Sequence, residues 1–299
     1  MPEATLAIAT RDRAPLVRRF LVPLAGLAAE RGWDVVVVDQ SVNGATEALL
    51  APLHGVRYLR SEPGLSRARN VAIEASTTPL IAFCDDDVEV GPSWFDEVVR
   101  LFEEHPQAGA VCGPVRTQEG RELPGVAPAE YRWPAHPFRL GTGANVAVRR
   151  AALDQIGVFD EELGAGARFH AAEETDLLYR IQRAGWTILY SQGLEIVHFE
   201  ERTFGEEIKL HYRYGYGAGA QTAKHAGADD GAAVRFGLAE IGHHVAWFGR
   251  SLVSGRPRAA AHQLPFLAGF GAGFARRRLA RQATREYGST NGRVAGPGG

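Results

Sequence analysis

Residues Leu80–Asp87 read LIAFCDDD, a short apolar run followed directly by Asp85, Asp86 and Asp87. Such a run predicts a strand buried on both faces, and the carboxyl end of a strand is where open α/β sheets bind ligands. Three adjacent carboxylates repel one another, so a cation or a donor-rich ligand is expected to offset the cost. Asp85 and Asp87 can point to one side, and carboxylate oxygens suit a hard divalent ion. A solvated acidic turn would explain the same residues.

Strand-like and helix-like segments alternate on both sides of this stretch. The predicted strands are Thr5–Ala9, Val35–Val38, Val56–Leu59, Leu80–Cys84 and Ala110–Val115. Three helices are predicted. The first carries Leu16, Phe20, Leu24 and Leu27 on one face, the second runs from its N-cap Ser66 to Ala75, and the third runs from Pro92 to about His105. This alternation predicts an α/β fold in layers, with a mostly parallel central sheet and flanking helices.

The second half of the chain is less regular. Glu119–Pro137 is rich in proline and polar residues, which predicts a loop. After it, strands are expected at Gly143–Val148, Thr187–Tyr190 and Glu195–His198, and helices at Arg150–Ile156 and Glu173–Ala184. A later helix is expected to carry Val234, Leu238, Ile241, Val245, Phe248 and Leu252 on one face. We therefore expect a first domain at 1–204, a helical region at 205–288 and a disordered, glycine-rich tail at 289–299.

Composition narrows the class of protein. The 299 residues are 45% hydrophobic and 23% charged, which is typical of a globular chain. A formal charge of −2 argues against a nucleic-acid partner. Cys84 and Cys112 are too few for a disulfide framework and fit a reducing compartment. The start lacks the features of a signal peptide, and no apolar run has the length of a membrane span, so a cytoplasmic protein is expected.

A second acidic cluster, Glu173-Glu174-Thr175-Asp176, lies at the start of a predicted helix. Acids in a first turn interact favourably with the helix dipole, which explains one acid better than three. A carboxylate near a metal-bound phosphate can instead serve as a general base. His198, in the segment IVHFEE, is a lone histidine at a strand end and gains interest only because two acidic clusters precede it.

Two further features indicate an anionic or polar ligand. The segment GLSRARN places Arg67 and Arg69 in the first turns of a helix, where the dipole disfavours cations. Their partner is expected to be a phosphate or a carboxylate, and one of the three aspartates would also serve. Asp39 ends the run VVVVD and can accept hydrogen bonds from a ribose or a base, although a solvated turn explains it as well.

Taken in order, these blocks resemble the inverting glycosyltransferases of family 2, which have the GT-A fold. The matching segments are TLAIATRDR, VVVVDQS, GLSRARNVAI, IAFCDDDVEV, GTGANVAVRRAAL, GVFDEEL, AAEETDLLYRIQRAGW and IVHFEE, and together they cover roughly Leu6 to Glu201. TLAIATRDR resembles the family's opening strand and Pro-Thr-x-Asn-Arg turn, and IAFCDDDVEV resembles its Asp-x-Asp strand end. The resemblance implies a nucleotide-diphospho-sugar transferase fold at 1–204, and transfer of a sugar with inversion to an acceptor hydroxyl.

The resemblance also implies roles for individual residues. The nucleotide would be bound by Thr10, Arg11, Asp39, Arg69, Asp85 and Asp86. The donor sugar and the acceptor would face Gly143, Asn145 and Glu173. A divalent metal, Mg²⁺ or Mn²⁺, would be bound by Asp87, Asp85 and His198. Glu174 takes the position of the catalytic base, with Glu173 as the alternative.

The chain departs from the family pattern at three positions. Ala9 stands where proline is usual and Asp12 where asparagine is usual, so the first loop is expected to differ in shape. Glu174 stands where aspartate is common. Glutamate is one methylene longer and has a similar reference pKa, so base function is retained with a different reach.

The segment Gln263–Gln282 is both apolar and basic. It contains Leu264, Phe266, Leu267, Phe270 and Phe274 together with Arg276, Arg277, Arg278 and Arg281. An element of this kind can lie on an anionic membrane surface. A helix packed on the catalytic domain, or on a second subunit of a homodimer, explains the same pattern. Gly269, Gly271 and Gly273 favour the packed helix, because they weaken a free-standing one.

Two other functions fit parts of the pattern. A nucleotidyltransferase that forms sugar nucleotides also pairs a metal with an α/β sheet, but it usually needs a glycine-rich basic loop after the first strand. The segment ATRDRAP is basic and has no glycine. A non-catalytic nucleotide-sugar binding protein would bind the ligand without releasing a nucleotide diphosphate, and the full set of acids argues against it.

Overall fold

In a computed structural model of the chain, the described residues are 3–118, 120, 122–123, 126–199, 202–226 and 230–291. The chain divides into two compact units, one formed by residues 1–168 and 173–201 and the other by residues 169–172 and 202–299. The last helix runs to Asn291, into the segment expected to be disordered from residue 289. Residues 292–299 of that segment lie outside the described residues.

The first unit contains two sheets. In chain order its strands are β1 Ala4–Thr10, β2 Asp34–Asp39, β3 Val56–Arg60, β4 Leu80–Cys84, β5 Val88–Val90, β6 Ala108–Cys112, β7 Val115–Thr117, β8 Glu122–Leu123, β9 Ala129–Tyr131, β10 Asn145–Arg149, β11 Thr187–Tyr190 and β12 Ile196–His198. Among the described residues the larger sheet has eight strands in the order β3-β2-β1-β4-β10-β6-β11-β9, and the smaller has four in the order β5-β12-β7-β8. Strands β1 to β4 are parallel, and β10 runs antiparallel between β4 and β6.

Helices cover both faces of the larger sheet. They are α1 Ala14–Leu16, α2 Val22–Glu30, α3 Ala45–Leu50, α4 Leu65–Ala75, α5 Ser93–Glu104, α6 Arg150–Ile156 and α7 Glu173–Arg183, with a π-helical turn at Val17–Leu21 between α1 and α2. Alternate side chains of β1 enter separate hydrophobic clusters: Leu6 and Ile8 pack with α2 and α5, whereas Ala7 packs with α4, α6 and α7. The predicted fold class, a mostly parallel sheet between helices, is therefore confirmed.

Local differences from the predicted elements have identifiable causes. The predicted strand Ala110–Val115 is two strands in different sheets, since Gly113 and Pro114 interrupt it. A Cβ on Gly113 would lie 2.4 Å from the Leu194 Cβ, and proline lacks the N–H that a central ladder requires. The predicted N-cap Ser66 lies inside α4; Gly64 caps that helix at φ +140°, and the Ser66 hydroxyl donates to the Leu163 carbonyl. The segment predicted as a loop, Glu119–Pro137, contains β8 and β9, and residues 119, 121 and 124–125 lie outside the described residues.

The second unit is helical, as expected for the region after Phe204. Its helices are α8 Phe204–Ala226, α9 Gly231–Val253, α10 Pro257–Ala261 and α11 Gln263–Asn291. Among the described residues, no helix combines the length with the hydrophobicity that crossing a bilayer requires.

Helices α8 and α11 pack backbone to backbone through glycine. A Cβ on Gly215 or Gly219 of α8 would lie 2.0 Å from a carbonyl oxygen of α11. A Cβ on Gly273 of α11 would lie 1.9 Å from the Tyr216 carbonyl oxygen, and one on Gly269 would lie 2.1 Å from that of Tyr212. Gly269 and Gly273 of α11 therefore have a packing role, since only glycine allows this approach.

We expect Gly273→Ala to lower the free energy of unfolding and Gly271→Ala to raise it. The first change places a methyl group against the backbone of α8, whereas the second meets nothing within 4 Å. Replacing a helical glycine by alanine at an open position stabilises by roughly 0.5–1 kcal/mol. Urea unfolding of both variants measures the difference, and equal stability of the two would contradict the packing described for α8 and α11.

Candidate functional site

The carboxyl ends of the parallel strands bring the predicted residues to one edge of the sheet. Thr10 ends β1 and is paired in register with Asp39, which ends β2. Ile8 of β1 pairs with Cys84, the last residue of β4, so Asp85–Asp87 begin at the same level. A topological edge of this kind is where α/β sheets bind ligands.

Asp86 is buried and fully engaged. The Thr10 hydroxyl donates to its Oδ2 at 2.6 Å, and Arg13 Nη1 donates to its Oδ1 at 2.7 Å. Burial raises the pKa of Asp86 to about 6, and the charge of Arg13 opposes that rise without cancelling it. Asp86 therefore holds the turn after β4 to the end of β1.

Asp87 is the most buried of the three aspartates. Arg13 Nη2 donates to its Oδ2 at 2.5 Å, and His198 Nε2 lies 2.9 Å from its Oδ1. Burial alone would raise the pKa of Asp87, but His198 and Arg13 outweigh it and hold that pKa below its usual range. Asp87 therefore remains charged more readily than Asp86.

The smaller sheet places His198. Strand β5 begins at Val88, directly after the aspartates, and pairs antiparallel with β12 so that His198 lies opposite Val88. The backbone N–H of Phe199 donates to the Asp87 carbonyl at 2.8 Å. His198, which is more than a hundred residues away along the chain, is thus fixed beside Asp87 by strand pairing.

Asp85, Asp87 and His198 form a group suited to a divalent cation. One ligand atom from each lies within 4.8 Å of the other two. Within the described part of the chain, the buried Asp87 Oδ1 lacks a well-formed hydrogen bond, although His198 Nε2 lies 2.9 Å from it. An unsatisfied buried carboxylate oxygen is costly, and a cation bound by these lone pairs would remove the cost.

Arg69 joins this group to the start of α7. Its guanidinium is buried and donates to Glu173 Oε1 at 3.0 Å and to the Gly143 carbonyl at 2.8 Å, while Asp85 Oδ1 lies 3.5 Å away. A Cβ on Gly143 would lie 2.9 Å from the guanidinium nitrogens. Gly143 therefore makes room for Arg69, which bridges the two acidic clusters.

The two glutamates have different environments. Glu173 is buried and ion-paired with Arg69, whereas Glu174 is partly exposed and makes no ion pair among the described residues. Burial and then the charge of Glu173 raise the pKa of Glu174 to about 8. The backbone just before them is strained, with Ala172 at φ +72°. A carboxyl group with this pKa can exchange a proton near neutral pH.

Asp39, at the end of β2, accepts three hydrogen bonds from neighbouring residues. Its Oδ1 accepts from the Ser41 backbone N–H at 2.9 Å and from the Ser41 hydroxyl at 2.5 Å, and its Oδ2 accepts from the Tyr58 hydroxyl at 3.0 Å. Burial and the bond to Asp39 raise the pKa of Tyr58 to about 12. Asp39 is thus a fixed, buried acceptor and not a solvated turn.

The side chains of two predicted residues bond to groups other than the three aspartates, although Asn145 pairs in register with Cys84. Asn145, expected to face the donor sugar, is 1% exposed, and its amide accepts from Trp94 Nε1 and donates to the Leu194 and Pro114 carbonyls. Its side chain therefore stabilises the packing between β10 and neighbouring elements. Arg11, expected to bind the nucleotide, is half-exposed and pairs only loosely, at 3.6 Å, with Asp12.

Arg13, which the sequence analysis did not single out, contacts the aspartates. Asp12 adopts φ +55°, a left-handed conformation that Asp and Asn tolerate, and Arg13 then reaches Asp86 and Asp87. A signal for Arg13 was present, because it matches the arginine of the Pro-Thr-x-Asn-Arg turn. Tyr58 had no such signal, since only the pairing of β3 with β2 brings it to Asp39.

The chain resembles known proteins in sequence and in fold. The profile of the family described as Glycosyl transferase family 2 matches residues 5–157. The N-acetylglucosaminyl-diphospho-decaprenol L-rhamnosyltransferase of Mycobacterium tuberculosis is 25% identical over 244 residues, which cover 68% of this chain and 78% of that protein.

Two solved structures share the fold at low identity. The mannosyltransferase PcManGT from Pyrobaculum calidifontis, in complex with GDP-Man and Mn²⁺, has a TM-score of 0.64 and 18% identity over 91% of this chain and 87% of that one. TarS 1-349 from S. aureus, in complex with UDP-GlcNAc, has a TM-score of 0.55 and 15% identity over 71% of this chain and 66% of that one. With a family profile that spans half of its length and an ordered set of matching motifs, the chain belongs to glycosyl transferase family 2 and is a glycosyltransferase.

Proposed function

We propose that the chain moves a sugar from a nucleotide-diphosphate donor to an acceptor hydroxyl, with inversion at the anomeric carbon and with Glu174 as the base. The observation that carries this proposal is the convergence of Asp85, Asp87 and His198 within 4.8 Å at the end of β4. Arg69 connects that group to Glu173, the neighbour of the proposed base.

On the donor side, Asp85, Asp87 and His198 would hold a divalent cation. Such a cation neutralises the negative charge that develops on a departing nucleotide diphosphate. Arg13 and Arg69 add fixed positive charge beside the same carboxylates, so the edge of the sheet can accept an anion despite its three aspartates. Thr10 and Asp39 would line the nucleotide pocket, where Asp39 also fixes Ser41 and Tyr58 through hydrogen bonds.

The donor class is supported by the structures that share the fold. PcManGT was solved with GDP-Man and Mn²⁺, and TarS 1-349 with UDP-GlcNAc. The rhamnosyltransferase of Mycobacterium tuberculosis is named for an acceptor that carries a sugar on a lipid diphosphate. We propose by analogy that this chain uses a nucleotide sugar and a hydroxyl group of a glycan acceptor.

On the acceptor side, Glu174 removes the proton from the attacking hydroxyl. As the acceptor oxygen forms its bond to the anomeric carbon, the bond from that carbon to the diphosphate oxygen breaks, and the proton ends on the Glu174 carboxylate. Attack from the face opposite the leaving group inverts the configuration. Glu173 instead keeps Arg69 in place, and Gly143 provides the space that Arg69 needs.

We expect Glu174→Gln to keep donor binding and to reduce transfer by about 10²- to 10⁴-fold, the usual contribution of a positioned base. Glu173→Gln is the matched variant: it leaves Arg69 without its buried partner and should lower the melting temperature, which Glu174→Gln should not do. Initial rates and donor binding measured on both variants separate the roles. Full activity in the Glu174→Gln variant would refute the base assignment.

We expect the melting temperature of Glu174→Gln relative to the native protein to rise with pH. With a pKa of about 8 in the folded protein, Glu174 is neutral at about pH 5.5 and charged at about pH 9, where the cost of desolvating the charge lowers stability. Glutamine is neutral throughout. Melting scans in EDTA at both pH values measure the trend, with Glu62→Gln, an exposed position, as the control. A difference that is flat or falls with pH would show that Glu174 is not buried as a charged group.

We expect Mn²⁺ together with UDP or GDP to raise the melting temperature, because a ligand that binds the folded state stabilises it. In Asp87→Asn the metal-dependent part of that rise should disappear, since the buried ligand oxygen has lost its charge. Asp96→Asn, at a side chain 70% exposed, is the control. Nucleotide stabilisation that is equal with and without Mn²⁺, or unchanged in Asp87→Asn, would count against the metal site.

A further inference from the structure

Helix α9 has one face packed in the second unit and a separate apolar face exposed to solvent. The packed face carries Ala232, Ala233, Gly237, Glu240 and Ser251, all buried. The exposed fractions on the other face are 41% for Val234, 63% for Leu238, 53% for Val245 and 53% for Leu252. Ile241 and Phe248 are partly buried on the same line.

These exposed residues form one continuous stripe along the helix. Positions 234, 238, 241, 245, 248 and 252 are separated alternately by four and three residues, which places them above one another on an α-helix. At 1.5 Å per residue the stripe is about 27 Å long. An exposed apolar stripe of this length usually marks an interaction surface.

The exposed arginine and carboxylate side chains of α9 and α10 are of one sign, positive. Between Gly231 and Ala261 the basic side chains are Arg235, Arg250, Arg256 and Arg258, and all four are exposed. The only acid in that stretch is Glu240, which is buried with its Oε1 3.3 Å from His244 Nε2. Trp247, 44% exposed, adds an aromatic ring of the kind that is enriched at membrane interfaces.

We infer that the stripe on α9, with the arginines of α9 and α10, docks on the surface of an anionic lipid bilayer. Aliphatic side chains would enter the boundary between headgroups and acyl chains, and the arginines would pair with lipid phosphates. A second copy of the chain fits this face less well. A two-fold interface across the stripe would bring the same arginines together without an exposed acid of α9 or α10 between them.

This surface differs from the segment that the sequence indicated. In Gln263–Gln282, Phe266 and Phe270 are buried, and Gly269 and Gly273 pack against α8. Helix α11 therefore uses much of its apolar surface inside the second unit. The inference about α9 does not depend on the proposed catalytic roles, since it concerns exposed residues of the second unit only.

The test is co-sedimentation of the full chain with vesicles of phosphatidylcholine alone or of an equimolar mixture with phosphatidylglycerol. We expect binding to the anionic vesicles that weakens with added salt. In Leu238→Glu/Leu252→Glu the partition coefficient should fall by about tenfold or more, because two apolar anchors are lost and two negative charges are added. Val42→Glu/Val158→Glu, at exposed apolar positions of the first unit, should bind as the native chain does.

Circular dichroism and melting scans check that the variants fold, which is expected because every changed position is exposed. Arg250→Gln/Arg256→Gln/Arg258→Gln is a second variant that keeps the stripe and should lose the preference for anionic vesicles. The inference is overturned if the native chain ignores anionic vesicles, or if both variants bind as well as the native chain. A dimer in sedimentation velocity that dissociates in Leu238→Glu/Leu252→Glu would overturn it in favour of a second copy.

Discussion

The structure of the site depends on how three consecutive aspartates are accommodated at the end of a buried strand. Removing an isolated carboxylate from water costs several kcal/mol, so each buried one needs a cation or donors. Thr10 and Arg13 satisfy Asp86, while Arg13 and His198 adjoin Asp87, and Arg69 approaches Asp85. These partners come from the end of β1, from α4 and from β12. The charge balance therefore holds only if both sheets and α4 are in their observed places.

The same constraint separates the functions of two adjacent glutamates. The buried Glu173 forms an ion pair with Arg69. Glu174 lacks such a partner among the described residues; burial raises its pKa, and the negative charge of Glu173 raises it further. Pairs of titratable groups whose environments differ in this way commonly divide structural and acid–base roles. The different surroundings of the two glutamates, and not their chemistry, therefore distinguish the ion-paired Glu173 from Glu174.

Much of the first unit follows from local sequence. Thr187–Tyr190 and Leu80–Cys84 are predicted at their observed bounds, because short apolar runs between polar residues have few alternatives to a buried strand. The ordered motifs also bring Asp87, Arg69, Glu174 and His198 into the predicted site. What local sequence could not supply is the choice of partner for a side chain. Asn145 lies in a motif of the family, yet its side-chain amide forms hydrogen bonds with residues of three other segments. The glycines of α11 resemble helix breakers until α8 is placed against them.

We propose that Asp85, Asp87 and His198 together bind a divalent cation. Pulsed electron paramagnetic resonance of Mn²⁺ bound to the protein with UDP reports directly on the ligands of the ion. We expect a nitrogen coupling from a directly bound imidazole. This coupling should be lost in His198→Ala and retained in His105→Ala, because His105 is a partly exposed histidine of another loop. A bound Mn²⁺ with no nitrogen coupling, or with the same coupling after His198 is removed, would contradict it.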